Sequence, residues 1–188
     1  MKGAPDRAIL EAAARVRRMI GGRCALVLND RCDLAAAAAA DGVHLGQEDL
    51  PAAAARRLLG ARAIIGLSAG TPAEVARAIR ERPDYLSLGP AFPTGTKRDA
   101  GPALGAAGFR RLAARAGRRC PLLAVGGIRP DNVGDLIRSG ANAVAVASWL
   151  IRARAPRRAA RRLMEAVRAA RVRGTRESPG IQRGKGGS

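Results

Sequence analysis

Six short apolar runs, each followed by an alanine-rich stretch of helical periodicity, recur between Cys24 and about Ala170. The runs are Ala25 to Leu28, Gly42 to Leu45, Ala63 to Leu67, Tyr85 to Leu88, Leu122 to Val125 and Ala143 to Ala147. The amphipathic stretches cover 32–40, 51–60, 72–81, 105–116, 130–139 and 153–170, and a further helix is predicted from Asp6 to about Ile20. Pro51, Pro72 and Pro130 stand where first-turn prolines belong. Strands buried on both faces read as continuous apolar runs, so the alternation predicts parallel βαβ units. Six such strands suit either an open doubly wound sheet or most of an eight-stranded (β/α) barrel. In both, function gathers at the carboxyl ends of the strands.

A chain of 188 residues accommodates one domain with a sizeable core. No apolar stretch is long enough to cross a bilayer and no signal-peptide pattern opens the sequence, so the expected setting is cytoplasmic, without a membrane partner. Cys24, Cys32 and Cys120 have neither disulfide-framework nor zinc spacing and are expected as small core or near-core residues. The formal net charge of +19 would hold nucleic acid non-specifically at low salt. The excess, however, is arginine spread over alanine-rich helices and densest from Arg152 to Arg173, and aromatics at 2% leave almost no platform for base stacking. These charges read as solvated helix faces with no specific nucleic-acid partner expected. A basic nucleic-acid-binding module is the alternative reading. Residues 172–188, rich in Gly, Arg and Ser, are expected to be a disordered basic tail after a domain of residues 1–171.

Polar residues gather just after each run: Asn29-Asp30, Gly46-Gln47-Glu48-Asp49, Ser68, the segment Leu88 to Gly101, Gly126-Gly127 and Ser148. Singly, each has a local explanation. Asp49 suits a cap before Pro51, Ser68 a cap for the helix beginning near Pro72, and Gly126-Gly127 a tight turn. Together they fall on one rim. Two carboxylates, Asp30 and Asp49, match the one or two that Mg²⁺ takes beside waters and phosphate oxygens. Lys97, Ser68 and Asn29 could hold a (pyro)phosphate, and backbone N–H groups after the last two strands could hold another. The single histidine, His44, lies within a strand, as a hydrogen-bonded core residue or an acid–base group. One histidine disfavours a His-based proton shuttle and favours electrostatic handling of a leaving group.

Asn29-Asp30, Asp41 to Asp49, Gly66-Leu67-Ser68, Leu88-Gly89-Pro90, Thr94-Gly95-Thr96-Lys97, Gly126-Gly127-Ile128 and Ala147-Ser148 resemble, in order and spacing, the motifs of the thiamine-phosphate synthase family. The resemblance spans roughly residues 2 to 170. It implies a (β/α)8 TIM barrel that joins hydroxymethylpyrimidine diphosphate to thiazole phosphate and releases pyrophosphate. It implies Mg²⁺ on Asp30 and Asp49, and the pyrimidine diphosphate on Lys2, Asn29, Ser68 and Lys97, with Lys97 and Ser68 catalytic. Thr94, Thr96, Gly127, Ala147 and Ser148 would take the thiazole phosphate. The implied reaction is dissociative, through a pyrimidine-methyl cation captured by the thiazole nitrogen.

Two departures from that pattern stand out. The family usually carries a histidine two residues after the serine that ends strand three, where this chain has Gly70. The related thiazole tautomerases depend on that histidine, which argues against tautomerase activity, and its loss also removes a polar group from the synthase rim. The family also opens with strand, helix and a second strand ending in Gln-x-Arg-x-Lys. Here Lys2 matches the final lysine, while the Gln and Arg have no counterpart. The resemblance therefore implies an incomplete barrel, six βα units plus an N-terminal helix, with two edges and an uncovered apolar interior. A misplaced start, a truncated fragment, or complementation by another chain would each account for it. The expected partners are small phosphorylated substrates, and self-association into a homo-oligomer stays open. An inactive or regulatory relative of the same fold is the other alternative.

Overall fold

The computed structural model describes residues 4–95 and 101–176, with side chains through Val172. In chain order the elements are α1 (Asp6–Ile20), β1 (Val27–Asn29), α2 (Cys32–Ala37), β2 (Gly42–Leu45), α3 (Ala52–Leu59), β3 (Ile64–Ala69) and α4 (Pro72–Arg80). They continue with β4 (Tyr85–Leu88), α5 (Gly105–Ala116), β5 (Leu122–Val125), α6 (Val133–Arg138), β6 (Ala143–Ala145), α7 (Ser148–Ile151) and α8 (Pro156–Arg176). All six expected strands form, and all pair in parallel with their sequence neighbours, in the order β1-β2-β3-β4-β5-β6. A doubly wound sheet needs a point where the strand order reverses. The described strands contain none, so the sheet is a curled part of a (β/α) barrel, open between β1 and β6.

The core lies between the sheet and its helices. Val43, Leu45, Ile65, Leu86 and Leu88 point to that side and are fully buried against Val75 of α4, Phe109 of α5, and Val133 and Leu136 of α6. Each such side chain contributes about 1.5–3 kcal/mol by leaving water. The alternate positions face away from the helices and are not uniformly apolar. His44, Ser68 and Tyr85 stand half-buried there, Ser87 is buried, and Val125 is 36% exposed. The expected apolar interior is thus a mixed concave face, with these polar groups set among Val27, Ile64, Leu123 and Val125.

The amino ends of alternate strands are fastened by one repeated device. Asp41, just before β2, accepts the Leu26 N–H at 2.6 Å and an Arg17 N–H from α1 at 2.9 Å. Asp84, just before β4, accepts the Ile65 N–H at 2.7 Å and an Arg56 N–H from α3 at 2.8 Å. Asn142, just before β6, accepts the Leu122 N–H at 2.8 Å, while Arg171 of α8 donates to its carbonyl at 2.5 Å. Each satisfies an amide at the mouth of the preceding strand and ties that strand end to a helix.

Several local expectations need correction. Of Pro51, Pro72 and Pro130, it is Pro72 that opens a helix. Pro51 is the residue before α3, and Pro130 lies in a turn three residues ahead of α6. Thr71, not Ser68, caps α4, accepting the Glu74 N–H at 3.3 Å, because Ser68 is already inside β3. Asp49 does not cap α3. Its carboxylate accepts the Gly46 N–H at 2.6 Å, and the Ala52 N–H at the start of α3 goes to Glu81. Cys32 is buried and Cys120 half-buried, but Cys24 is exposed, because it precedes β1 outside the core. Helix α8 runs to Arg176, past the Val172 where composition placed the start of a tail.

The amide of Leu26 first, then Arg17, holds the Asp41 carboxyl below its ordinary range; Asp84 is also lowered, by the Ile65 amide and Arg56 against the opposing effect of burial. A carboxyl lowered in the native state stabilises it above the unfolded value of about 3.9 and loses that contribution as pH falls through the native value. Asp41→Asn with Asp84→Asn should therefore lower stability at pH 7, by about 1 kcal/mol or less per site. In urea unfolding, the gap to wild type should narrow below about pH 4. A gap of constant size at pH 7 and pH 3 would contradict the clamps.

Candidate active site

Parallel strands deliver all their carboxyl ends to one rim, and the sequence-predicted residues of the described segments stand there. Asn29 closes β1 and Asp30 follows it; Gly46 to Asp49 follow β2; Ser68 lies in the last turn of pleat of β3; Thr94 follows β4; Gly126 and Gly127 follow β5; Ala147 precedes α7, which Ser148 opens. Lys2, Thr96 and Lys97 lie outside the described residues.

Asp30 has a left-handed backbone, φ 66°, with its N–H donating to the His44 carbonyl at 2.9 Å, so the chain turns sharply where its carboxyl stands. Asp49 is fixed by the Gly46 amide. Burial, then the Asp33 and Asp49 charges, push up the thiol of Cys32, two residues past Asp30. Two half-buried carboxylates follow adjacent strands, and carboxylate oxygens are the hard donors that Mg²⁺ takes beside waters and phosphate oxygens. Among the described residues no three His, Cys, Asp or Glu side chains cluster as a closed metal cage. The residues present fit the cation.

His44 bridges two strands. Its Nε2 lies 2.8 Å from Ser68 Oγ and its Nδ1 lies 3.0 Å from the Tyr85 hydroxyl. The His44 and Tyr85 rings stack, with centroids 5.4 Å apart and planes 14° apart. Between them in the register stands Gly66, and a β-carbon there would lie 2.1 Å from the Tyr85 ring. His44 is therefore hydrogen-bonded on the concave face and touches a predicted site residue. Gln47 donates to the Ser68 carbonyl and accepts from Arg77 of α4, closing a shallow pocket with Gly46, Asp49, Leu67 and Glu81.

On the other side of the rim, the Ala91 N–H donates to the Val125 carbonyl at 2.7 Å and the Phe92 N–H to the Gly126 carbonyl at 3.1 Å. These bonds lay the segment after β4 along the β5 loop. Asn132 holds that loop from below, donating to the Gly127 carbonyl at 3.0 Å and accepting the Arg129 N–H at 2.8 Å. Tyr85, Gln47, Arg77 and Asn132 are the site residues that motif reading did not single out by role. The one tyrosine of the chain, set in a strand, was the available signal for Tyr85; the others depend on register and loop path.

A larger open cavity of about 570 Å³ lies at the opposite, amino end of the sheet, lined by Arg17, Cys24, Asp41, Leu59 and Arg62. No helix among the described residues is long and apolar enough to cross a membrane.

A model of the thiamine monophosphate synthase family matches residues 1–150. The chain is 45% identical over 171 residues to the thiamine-phosphate synthase of Moorella thermoacetica, covering 90% of this chain and 80% of that one. It is 48% identical over 169 residues to the thiamine-phosphate synthase of Xanthobacter autotrophicus, covering 89% and 79%. A solved structure, thiamine phosphate pyrophosphorylase from Pyrococcus furiosus, superposes with a TM-score of 0.80 at 32% identity, covering 90% of this chain and 81% of that one.

Gly127 shows how tightly the two loops meet. Its φ is +60°, and a β-carbon would lie 2.6 Å from the Pro93 carbonyl oxygen and 2.8 Å from Phe92 Cβ, whereas one on Gly95 would meet nothing within 4 Å. Gly127→Ala should lower stability by roughly 1–3 kcal/mol, and Gly95→Ala should leave it within about 0.5 kcal/mol of wild type. Thermal unfolding of both variants checks this; equal effects would contradict the packing of the β4 segment on Gly127.

Proposed function

The chain belongs to the thiamine monophosphate synthase family, and from that premise we propose that its rim joins hydroxymethylpyrimidine diphosphate to thiazole phosphate, forming thiamine phosphate and releasing pyrophosphate. The observation that carries this reading is the gathering of Asn29, Asp30, Asp49, Ser68, Thr94, Gly127 and Ser148 on one edge of a parallel sheet. Relatives bearing the synthase name are 45–48% identical to the chain.

The roles follow from chemistry. Asp30 and Asp49 would hold Mg²⁺, which supplies charge neutralisation on the diphosphate. Asn29 and Ser68 orient the diphosphate from β1 and β3, and Lys97, with Lys2, adds cationic charge as the leaving group departs. When the C–O bond of the pyrimidine methylene breaks, its electron pair leaves with pyrophosphate, and the thiazole nitrogen then donates its pair to the carbon. No proton needs to move for either event. Electrostatic stabilisation of the departing charge is therefore the main demand on the protein. Thr94 and Thr96, with backbone N–H groups near Gly127, Ala147 and Ser148, hold the thiazole phosphate across the rim. Phosphorylated small molecules are the partners this requires.

The surroundings of Gly70 argue against tautomerisation. Its N–H donates to Glu74 at 2.6 Å, and a β-carbon would approach the Gly89 carbonyl oxygen to 3.0 Å, so a ring at this position would require the β4 end to shift.

Asp30→Ala, Ser68→Ala and Lys97→Ala should each cut the rate of thiamine phosphate formation by on the order of 10²-fold or more. The assay follows product in the presence of Mg²⁺ and both substrates. A variant that stays within about threefold of wild type removes its residue from the proposed machinery.

A further inference from the structure

The row His44, Gly66, Tyr85 crosses three adjacent strands, with Ser68 one pleat further along β3. This is a chain of hydroxyl, imidazole and hydroxyl, and its direction decides what Ser68 offers to a ligand. A neutral imidazole has one N–H and one acceptor nitrogen, and its neighbours select between the two forms. If Nδ1 carries the hydrogen, it donates to Tyr85, and Ser68 must turn its own hydrogen toward Nε2. Ser68 then presents lone pairs to the rim, the wrong polarity for a diphosphate. If Tyr85 donates to Nδ1, Nε2–H donates to Ser68 Oγ, and the Ser68 hydrogen is left to point outward.

Donor strength favours the second arrangement. Each arrangement uses two hydrogens and leaves one hydroxyl hydrogen over. The phenol of Tyr85, with an ordinary pKa of about 10, is a far stronger acid than the alcohol of Ser68 and so the better donor to the imidazole. The phenol is half-buried, and burial pushes its pKa up, which keeps that hydrogen in place. The missing side chain at Gly66 is what lets the two rings stack at bonding distance.

We propose that Tyr85 is a positioning residue: its hydroxyl donates to His44 Nδ1 and fixes the Nε2–H form, which donates to Ser68 Oγ and directs the Ser68 hydroxyl hydrogen to the substrate diphosphate. The last link rests on the synthase reading of Ser68, whereas the state of the imidazole does not.

The chain has a single histidine, so long-range ¹H–¹⁵N correlation spectra of ¹⁵N-histidine-labelled protein, prepared without a histidine tag at pH 8, report His44 alone. The wild type should show a pyrrole-like Nε2 and a pyridine-like Nδ1. Tyr85→Phe, with unchanged circular dichroism, should shift both resonances toward a mixture of the two forms. Calorimetric titration with pyrimidine diphosphate, without the thiazole partner, should show Tyr85→Phe weakening affinity about tenfold, and having no further effect in a Ser68→Ala background. A pyrrole-like Nδ1 in the wild type, protonation of both nitrogens, or a spectrum unchanged in Tyr85→Phe would overturn the relay. Full affinity in Ser68→Ala would instead remove Ser68 from the diphosphate site, with the spectra still deciding the imidazole form.

Discussion

Every strand runs the same way and pairs with its sequence neighbour, and from this single constraint the rest of the molecule follows. Parallel neighbours need a crossover, and each crossover helix lands on the same side of the sheet. One face is then sealed by Val75, Phe109, Val133 and Leu136. The other face curls inward, and all six carboxyl ends meet at a common rim. The clamps at Asp41, Asp84 and Asn142 hold the amino ends to their helices, so the two ends of each strand divide their work. The amino end secures register, while the carboxyl end is left to loops that carry donors, carboxylates and close-approaching backbone.

The period of two along each strand makes this division a residue-by-residue matter. In β2, Val43 and Leu45 belong to the core while His44 belongs to the concave face; in β3, Ile65 and Leu67 alternate with Gly66 and Ser68. A shift of one residue in register would bury His44 under the helices and expose leucines to the rim. The aligned row of His44, Gly66 and Tyr85 is thus a consequence of pairing, and the hydrogen bonds to Ser68 and Tyr85 are possible only in that register.

Much of this architecture was legible in the sequence. The apolar runs located β2, β4 and β5 at their observed bounds, and α1 and α5 likewise. The rim residues were legible because polar groups consistently followed those runs, and Gly46 to Asp49 together with Thr94-Gly95-Thr96-Lys97 resembled one family closely. What local pattern could not give was partnership across strands. Ser68 and Asp49 both look like helix caps in isolation, yet one sits inside a strand beside an imidazole and the other closes its own turn on Gly46. The choice between doubly wound sheet and barrel needed the strand order itself. Helix α7, at four residues, is too short for periodicity to reveal. Asn132 reads as an ordinary turn residue until its amide is seen bridging Gly127 and Arg129.

The central claim is that two phosphorylated substrates meet on this rim, one held from the β1 to β3 side and the other from the β5 to β6 side. A crystal structure of the chain grown with thiamine phosphate, pyrophosphate and Mg²⁺ tests it most directly. Pyrophosphate and the cation should lie among Asn29, Asp30, Asp49 and Ser68, with the phosphate of thiamine phosphate against Gly127 and Ser148. Products bound instead at the amino-end cavity near Arg17 and Arg62, or the two phosphates exchanged between the sides of the rim, would contradict it.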